Sequence, residues 1–175
     1  MGAIEAASVA SDNDAALELR QSLGTPDHAR ERVTAVLREG GDPDVTLPPI
    51  IGPDELFSLT PWSLSGAARF SAHLPCLPDT ATILRSMGEV STEQQWGLVS
   101  VNAPEVRTAV KGCWGEADEV RQLGLITWPD GRQLAVTMIS YRVGETTGDG
   151  LAELDQVARW LQQNLEILPR GRCSG

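Results

Sequence analysis

The sequence predicts an α/β (α+β) fold, with a helical first half, a three-stranded antiparallel sheet and a carboxyl-terminal helix packed on that sheet. Three observations carry this prediction. Up to residue 105, apolar residues recur every three to four positions between helix caps and helix stops. From Val106 the texture changes to three runs rich in β-branched residues, two of them separated by Pro129-Asp130-Gly131. The helical period then returns over Leu151–Leu168. With 175 residues, 41% of them hydrophobic and 22% charged, the chain has globular composition and length for one core, burying roughly 70% of the unfolded surface. It reads as a single domain over 1–175: residues 1–105 mostly helical, the sheet and its helix over 106–168, and a tail 169–175.

Ala3 to Leu23 reads as helix broken at Ser11-Asp12-Asn13, where three short polar side chains compete for backbone hydrogen bonds and favour a turn followed by an N-cap. Beyond it Ala15, Ala16, Leu19 and Leu23 share a face, and Gly24 stops the helix. Thr25-Pro26 opens the next helix, whose stripe is Ala29, Val33, Val36 and Leu37, and Gly40-Gly41 ends it. The Pro- and Gly-rich stretch Asp42–Pro61 reads as a long connection with one helical turn near Asp54–Phe57. Ser63 or Ser65 caps a helix running towards Leu74, and a further helix spans Asp79–Met87. Ser91–Asn102 is ambiguous, with Gln94-Gln95-Trp96 compatible with helix.

The runs Arg107–Trp114, Val120–Trp128 and Gln133–Tyr141 predict the three strands, with Asp130-Gly131 closing the second hairpin. Gly144–Gly150 reads as a flexible loop. The last helix carries Leu151, Leu154, Val157, Ala158, Leu161 and Leu165 on its core stripe. Trp62, Trp96 and Trp160 are expected in the core. A three-stranded meander leaves two unpaired edges, so these strands suit a larger sheet.

Acidic residues outnumber basic ones 24 to 14, a formal net charge of −10. Such a surface repels phosphate backbones and anionic lipid, which argues against nucleic-acid and membrane partners. No uncharged apolar run approaches the ~18 residues of a membrane span, and Met1–Ala7 lacks the basic residue of a signal peptide. Cys76, Cys113 and Cys173 are odd in number and far apart, and the histidines are only His28 and His73. That pattern supports neither a disulfide framework nor a metal site, and nothing indicates a cofactor. His28 in the first turn of a helix reads as a surface residue; His73 lies at a helix end, where the dipole favours it. All basic residues but one are arginine. The exception, Lys111, carries a compact ammonium that can lose its proton, which Arg cannot.

Two short motifs stand out: Ser11-Asp12-Asn13 at a helix junction, and Lys111-Gly112-Cys113 with Trp114-Gly115 at the end of the first strand. Each alone has a plain structural reading, an N-cap and a solvated strand-end charge. In this order and on these elements they resemble the penicillin-recognising serine hydrolases, the superfamily of class A β-lactamases and D-alanyl-D-alanine carboxypeptidases, whose boxes are Ser-x-x-Lys, Ser-Asp-Asn and Lys-Thr-Gly. The resemblance runs from Ala3 to about Leu168 and implies a β-lactamase-like, partial fold. It implies that Ser11 relays a proton to a leaving nitrogen with help from Lys111. Asn13 is then expected to hold the substrate's amide, and the strand of Gly112 and Cys113 to take an extended acyl group, with an oxyanion donor near Trp114. The implied substrate is a small molecule or peptide of β-lactam-like or peptidoglycan-like chemistry. The family is mostly extracytoplasmic, and this sequence itself leaves the compartment unknown.

Two features depart from the family. Lys111 is the sole lysine, so no Ser-x-x-Lys occurs; that box lies upstream of the second, and the chain is expected to be the carboxyl-terminal portion of such an enzyme, catalytically incomplete by itself. In the third box, Gly112 and Cys113 stand where the family has a hydroxyl residue and glycine. Cys113 then either crowds the ligand strand or turns inward, burial being the common fate of an apolar cysteine. Asp42 and Asp44 lie in the loop that carries the deacylating glutamate in class A enzymes, and Glu55 is the nearest candidate for it. Two alternatives remain open: a non-catalytic binding domain that keeps the cleft, and a fragment without independent function.

Overall fold

The computed structural model describes residues 2–48, 61–115 and 118–173. Among these residues six α-helices and one sheet form in chain order: α1 (Ala3–Val9), α2 (Asn13–Ser22), α3 (Pro26–Glu39), α4 (Leu64–His73), α5 (Ala81–Gly88), β1 (Arg107–Trp114), β2 (Val120–Thr127), β3 (Gln133–Ser140) and α6 (Thr147–Gln163). The sheet is antiparallel throughout, in the order β1-β2-β3. Its architecture is the one expected from hydrophobic periodicity.

The caps explain most helix starts. Asp12 accepts from Ala15 N at 2.9 Å, Thr25 from His28 N at 3.4 Å and Ser63 from Gly66 N at 3.0 Å, each meeting a backbone donor that the first turn leaves free. Ser63 rather than Ser65 is therefore the cap of α4. The turn between β2 and β3 closes with Trp128 N donating to Arg132 O at 2.9 Å. The Ser91–Asn102 stretch resolves into two short 3-10 turns, Thr92–Gln94 and Gly97–Ser100.

The main core lies between one face of the sheet and α6. Val110, Val120, Ile126 and Met138 from the sheet meet Leu154, Ala158 and Leu161 from the helix, with Trp96 and Leu98 at one end. Strand alternation places Lys111 and Cys113, with their register partners Leu123 and Arg121, on the opposite face, towards α4.

Several expectations need correction. The chain does contain a disulfide: Cys76 and Cys173 are bonded, with Cα atoms 5.5 Å apart across 97 residues of sequence. Gly144–Gly150 is not all loop. Thr146 and Asp149 form a reciprocal capping box, so α6 begins at Thr147. Position 150, inside that helix, is suited to glycine because a Cβ there would stand 2.8 Å from Val120 Cγ2, where the helix meets the sheet. The same helix ends at Gln163, short of Leu168, and Val157 on its predicted stripe is 43% exposed. Val33 and Val36 of α3 face solvent as well, and Trp160 is 54% exposed rather than in the core. Trp62 is half-buried and Trp96 buried. The predicted turn at Asp54–Phe57 and the Glu55 candidate lie outside the described residues.

Candidate active site

Ser11 and Lys111 meet although 100 residues separate them. The end of α1 is fixed where Ser91 N donates to Val9 O at 2.9 Å. Ser91 follows α5, which packs on β1, so the α1–α2 turn stands over the strand bearing Lys111. Within that turn Ser11 adopts φ 58°, a left-handed conformation uncommon for any residue but glycine. Lys111 Nζ donates to Ser11 Oγ at 2.7 Å and to Gly112 O at 2.6 Å.

The pair lines a cavity of about 340 Å³ together with Asp12, Asn13, Gly112 and Cys113. Much of the remaining wall is apolar, including Ala7, Ala16, Leu64 and Leu123. Burial lowers the pKa of Lys111 below the usual lysine value, opposed in part by the Cys113 thiolate only at the alkaline pH where that thiol ionises. The arrangement couples a cation of lowered proton affinity to a hydroxyl, in a pocket that can exclude water from a ligand. Such a pair can hold an anionic or polar group and pass a proton through the serine oxygen.

Five of the six residues singled out from sequence thus share one cavity. Trp114, the sixth, does not line it. Alternation along β1 turns its side chain to the α6 face, where its ring lies 6.4 Å from that of Trp96. Gly112 contributes only backbone to the cavity, since a Cβ at that position would fall 2.3 Å from Trp96 Cζ2. Trp96 is 5% exposed and tied down through Gln122, whose Nε2 donates to Trp96 O at 2.9 Å. No side chain fits at 112 while Trp96 stays in place.

Cys113 is exposed as a residue, contrary to the inward alternative. Desolvation of its thiol nevertheless raises the pKa, outweighing the opposing effects of Lys111 and Arg121. It therefore stays protonated at neutral pH. Arg121 also lines the cavity, 3.7 Å from Glu119 Oε1. Sequence reasoning placed Arg121 on β2 without assigning it to the site. The β1–β2 register, which puts it opposite Cys113, is the signal that finds it. Asp42 is a structural carboxylate: 3% exposed, it accepts from Trp62 Nε1 at 2.9 Å and Arg69 Nη2 at 2.8 Å, bracing α3 against α4.

Among the described residues no group of three or more His, Cys, Asp or Glu could hold a metal ion, and no helix is long and apolar enough to cross a membrane. No protein-family description and no curated protein matches the chain by sequence. Solved structures do match by shape. A β-lactamase from Burkholderia vietnamiensis superposes with a TM-score of 0.72 at 19% identity, covering 94% of this chain and 62% of that one. PBP-A gives 0.71 at 19%, covering 94% and 60%, and the TLA-3 extended-spectrum β-lactamase 0.71 at 14%, covering 93% and 63%. The chain has a β-lactamase-like fold in partial form, spanning about 62% of the length of the first of these structures.

Proposed function

We propose that this chain supplies the proton-relay and substrate-strand half of a β-lactamase- or DD-peptidase-like acyl-transfer site, acting on an amide or ester, and that it does not form an acyl-enzyme by itself. The observation that carries the reading is the 2.7 Å contact of Lys111 Nζ with Ser11 Oγ in a cavity shared with Asn13. In this reading Lys111 draws an anionic substrate into an otherwise acidic protein. Ser11, holding the Lys111 proton through its oxygen, passes a proton to the leaving nitrogen while the Asn13 amide holds the substrate's acylamide. The edge of β1 pairs with an extended acyl group. The nucleophile is not among these residues, because the only lysine in the sequence already belongs to this couple.

The absence of a Ser-x-x-Lys pair from the sequence favours one further reading, a binding module that keeps the cleft without the chemistry. A fluorescent penicillin tests the proposal. It is expected to bind reversibly, to leave no covalent adduct detectable by mass spectrometry, and to lose affinity in Lys111→Ala. Unchanged affinity in that variant refutes the site assignment, and a stable adduct on any residue of the chain refutes the incompleteness. Turnover without a detectable adduct excludes the binding module.

A further inference from the structure

A second cavity, of about 710 Å³, opens between α4, the start of β3 and the tail 169–173, away from the Ser11–Lys111 couple. Its titratable lining among the described residues is Arg69, His73, Arg170 and Arg172, with no Asp or Glu among them. That is unusual on a chain of net charge −10. Two acids that meet these cations stand outside it: Asp42 holds Arg69 Nη2 at 2.8 Å, and the pKa of Asp130, lowered first by hydrogen bonds from Arg132, is lowered further by the charges of Arg132 and Arg172. Arg170 and His73 form no ion pair among the described residues. The Arg170 guanidinium lies 4.6 Å from the ring centroid of Trp128, and His73 Nδ1 is 2.9 Å from Arg69 O.

Two of these four groups belong to the tail, and the tail is tied down. The Cys76–Cys173 disulfide joins it to the turn after α4, while Gly171 and Gln133 exchange backbone hydrogen bonds of 2.7 and 2.9 Å. Arg172 Nη2 donates to Asp130 O at 3.3 Å. We propose that this cavity is a binding site for an oxyanion, a ligand bearing clustered phosphate or carboxylate oxygens, and that the disulfide assembles it by holding the two tail arginines against α4. Arginine forks match both oxyanions in a two-point geometry, and a local positive field on an acidic surface concentrates such ligands at one place.

Titration of the full chain with inorganic pyrophosphate, and separately with citrate, tests this by calorimetry and by NMR of the His73 ring and the Gly171 amide. Saturable binding that moves both signals is expected with at least one of the two. Pyrophosphate alone identifies a phosphate site, and citrate alone a carboxylate site. The double variant Arg170→Gln/Arg172→Gln is expected to weaken binding about tenfold or more, since each lost charge-assisted hydrogen bond is worth about that factor. A shared unfolding midpoint with the parent shows that the variant is folded, and a variant that unfolds is replaced by Arg172→Gln alone. Failure of both anions to saturate at about 10 mM, well above ordinary weak-site affinities, overturns the proposal. So do signals that move elsewhere, or a folded variant that binds as well as the parent. Binding unchanged by reduction of the disulfide overturns its assembling role.

Discussion

Removing the Cys76–Cys173 bridge is the sharpest perturbation the fold offers. The cysteines are 97 positions apart, and a cross-link over that span removes from the unfolded chain about 16 cal/mol/K of loop entropy, or about 4.7 kcal/mol at 25 °C. The folded state does not lose the tail altogether, because the Gly171–Gln133 pair and the Arg170–Trp128 stack stay available to it. The Cys76→Ser/Cys173→Ser variant is therefore expected to lose most of that sum, about 3 to 4 kcal/mol, equivalent to a fall in unfolding midpoint of about 10 °C for a chain of this length. Urea unfolding followed by tryptophan fluorescence, with and without reductant, measures it. Alkylation of the denatured protein checks the premise: one thiol reacts before reduction and three after it. Coincident unfolding curves for oxidised parent and variant, in protein whose bridge alkylation has verified, would refute the loop-entropy account.

Lys111 gives a pH signature. Burial lowers its folded pKa below 10.5, so between the two values the unfolded chain binds more protons, and stability rises with pH through that window. Below it the charged buried lysine is a standing cost. Lys111→Met is expected to flatten the rise, as read from urea midpoints between pH 7 and about 10.5, and an unchanged slope contradicts the assignment. A hydroxyl residue in the middle of the Lys111-Gly112-Cys113 motif, Gly112→Thr, is expected to cost about 1–3 kcal/mol through overpacking against Trp96. In a Trp96→Leu background the same change is expected to cost measurably less, and strict additivity in that double-mutant cycle rules out the steric cause.

Much of the architecture was legible because its causes are local. Thr25, Asp12 and the Asp130-Gly131 turn announce themselves through chemistry that acts over two or three residues, and the strand runs carry their period openly. The Ser11–Lys111 couple was found by a different route, from motif order, since no local signal joins residues a hundred positions apart. What escaped notice is equally physical. The bridge to Cys173 has no signature when its partner is 97 residues away. Gly148 and Gly150 resemble loop composition until Thr146 and Asp149 are read as a reciprocal cap. The place of Trp114 could have been deduced: once Lys111 faces the cleft, residues 112 and 114 must face away from it. Arg121 and the close fit of Trp96 on Gly112 needed the strand register and the tertiary packing.

The left-handed backbone at Ser11 has a consequence for how this protein can drift. Glycine or asparagine occupies φ near 58° more readily than serine, so a library at position 11 screened only for resistance to proteolysis should enrich those two residues. One screened for ligand capture should keep the hydroxyl. How far the two libraries diverge measures how strongly the cleft, rather than the turn, governs the identity of that residue.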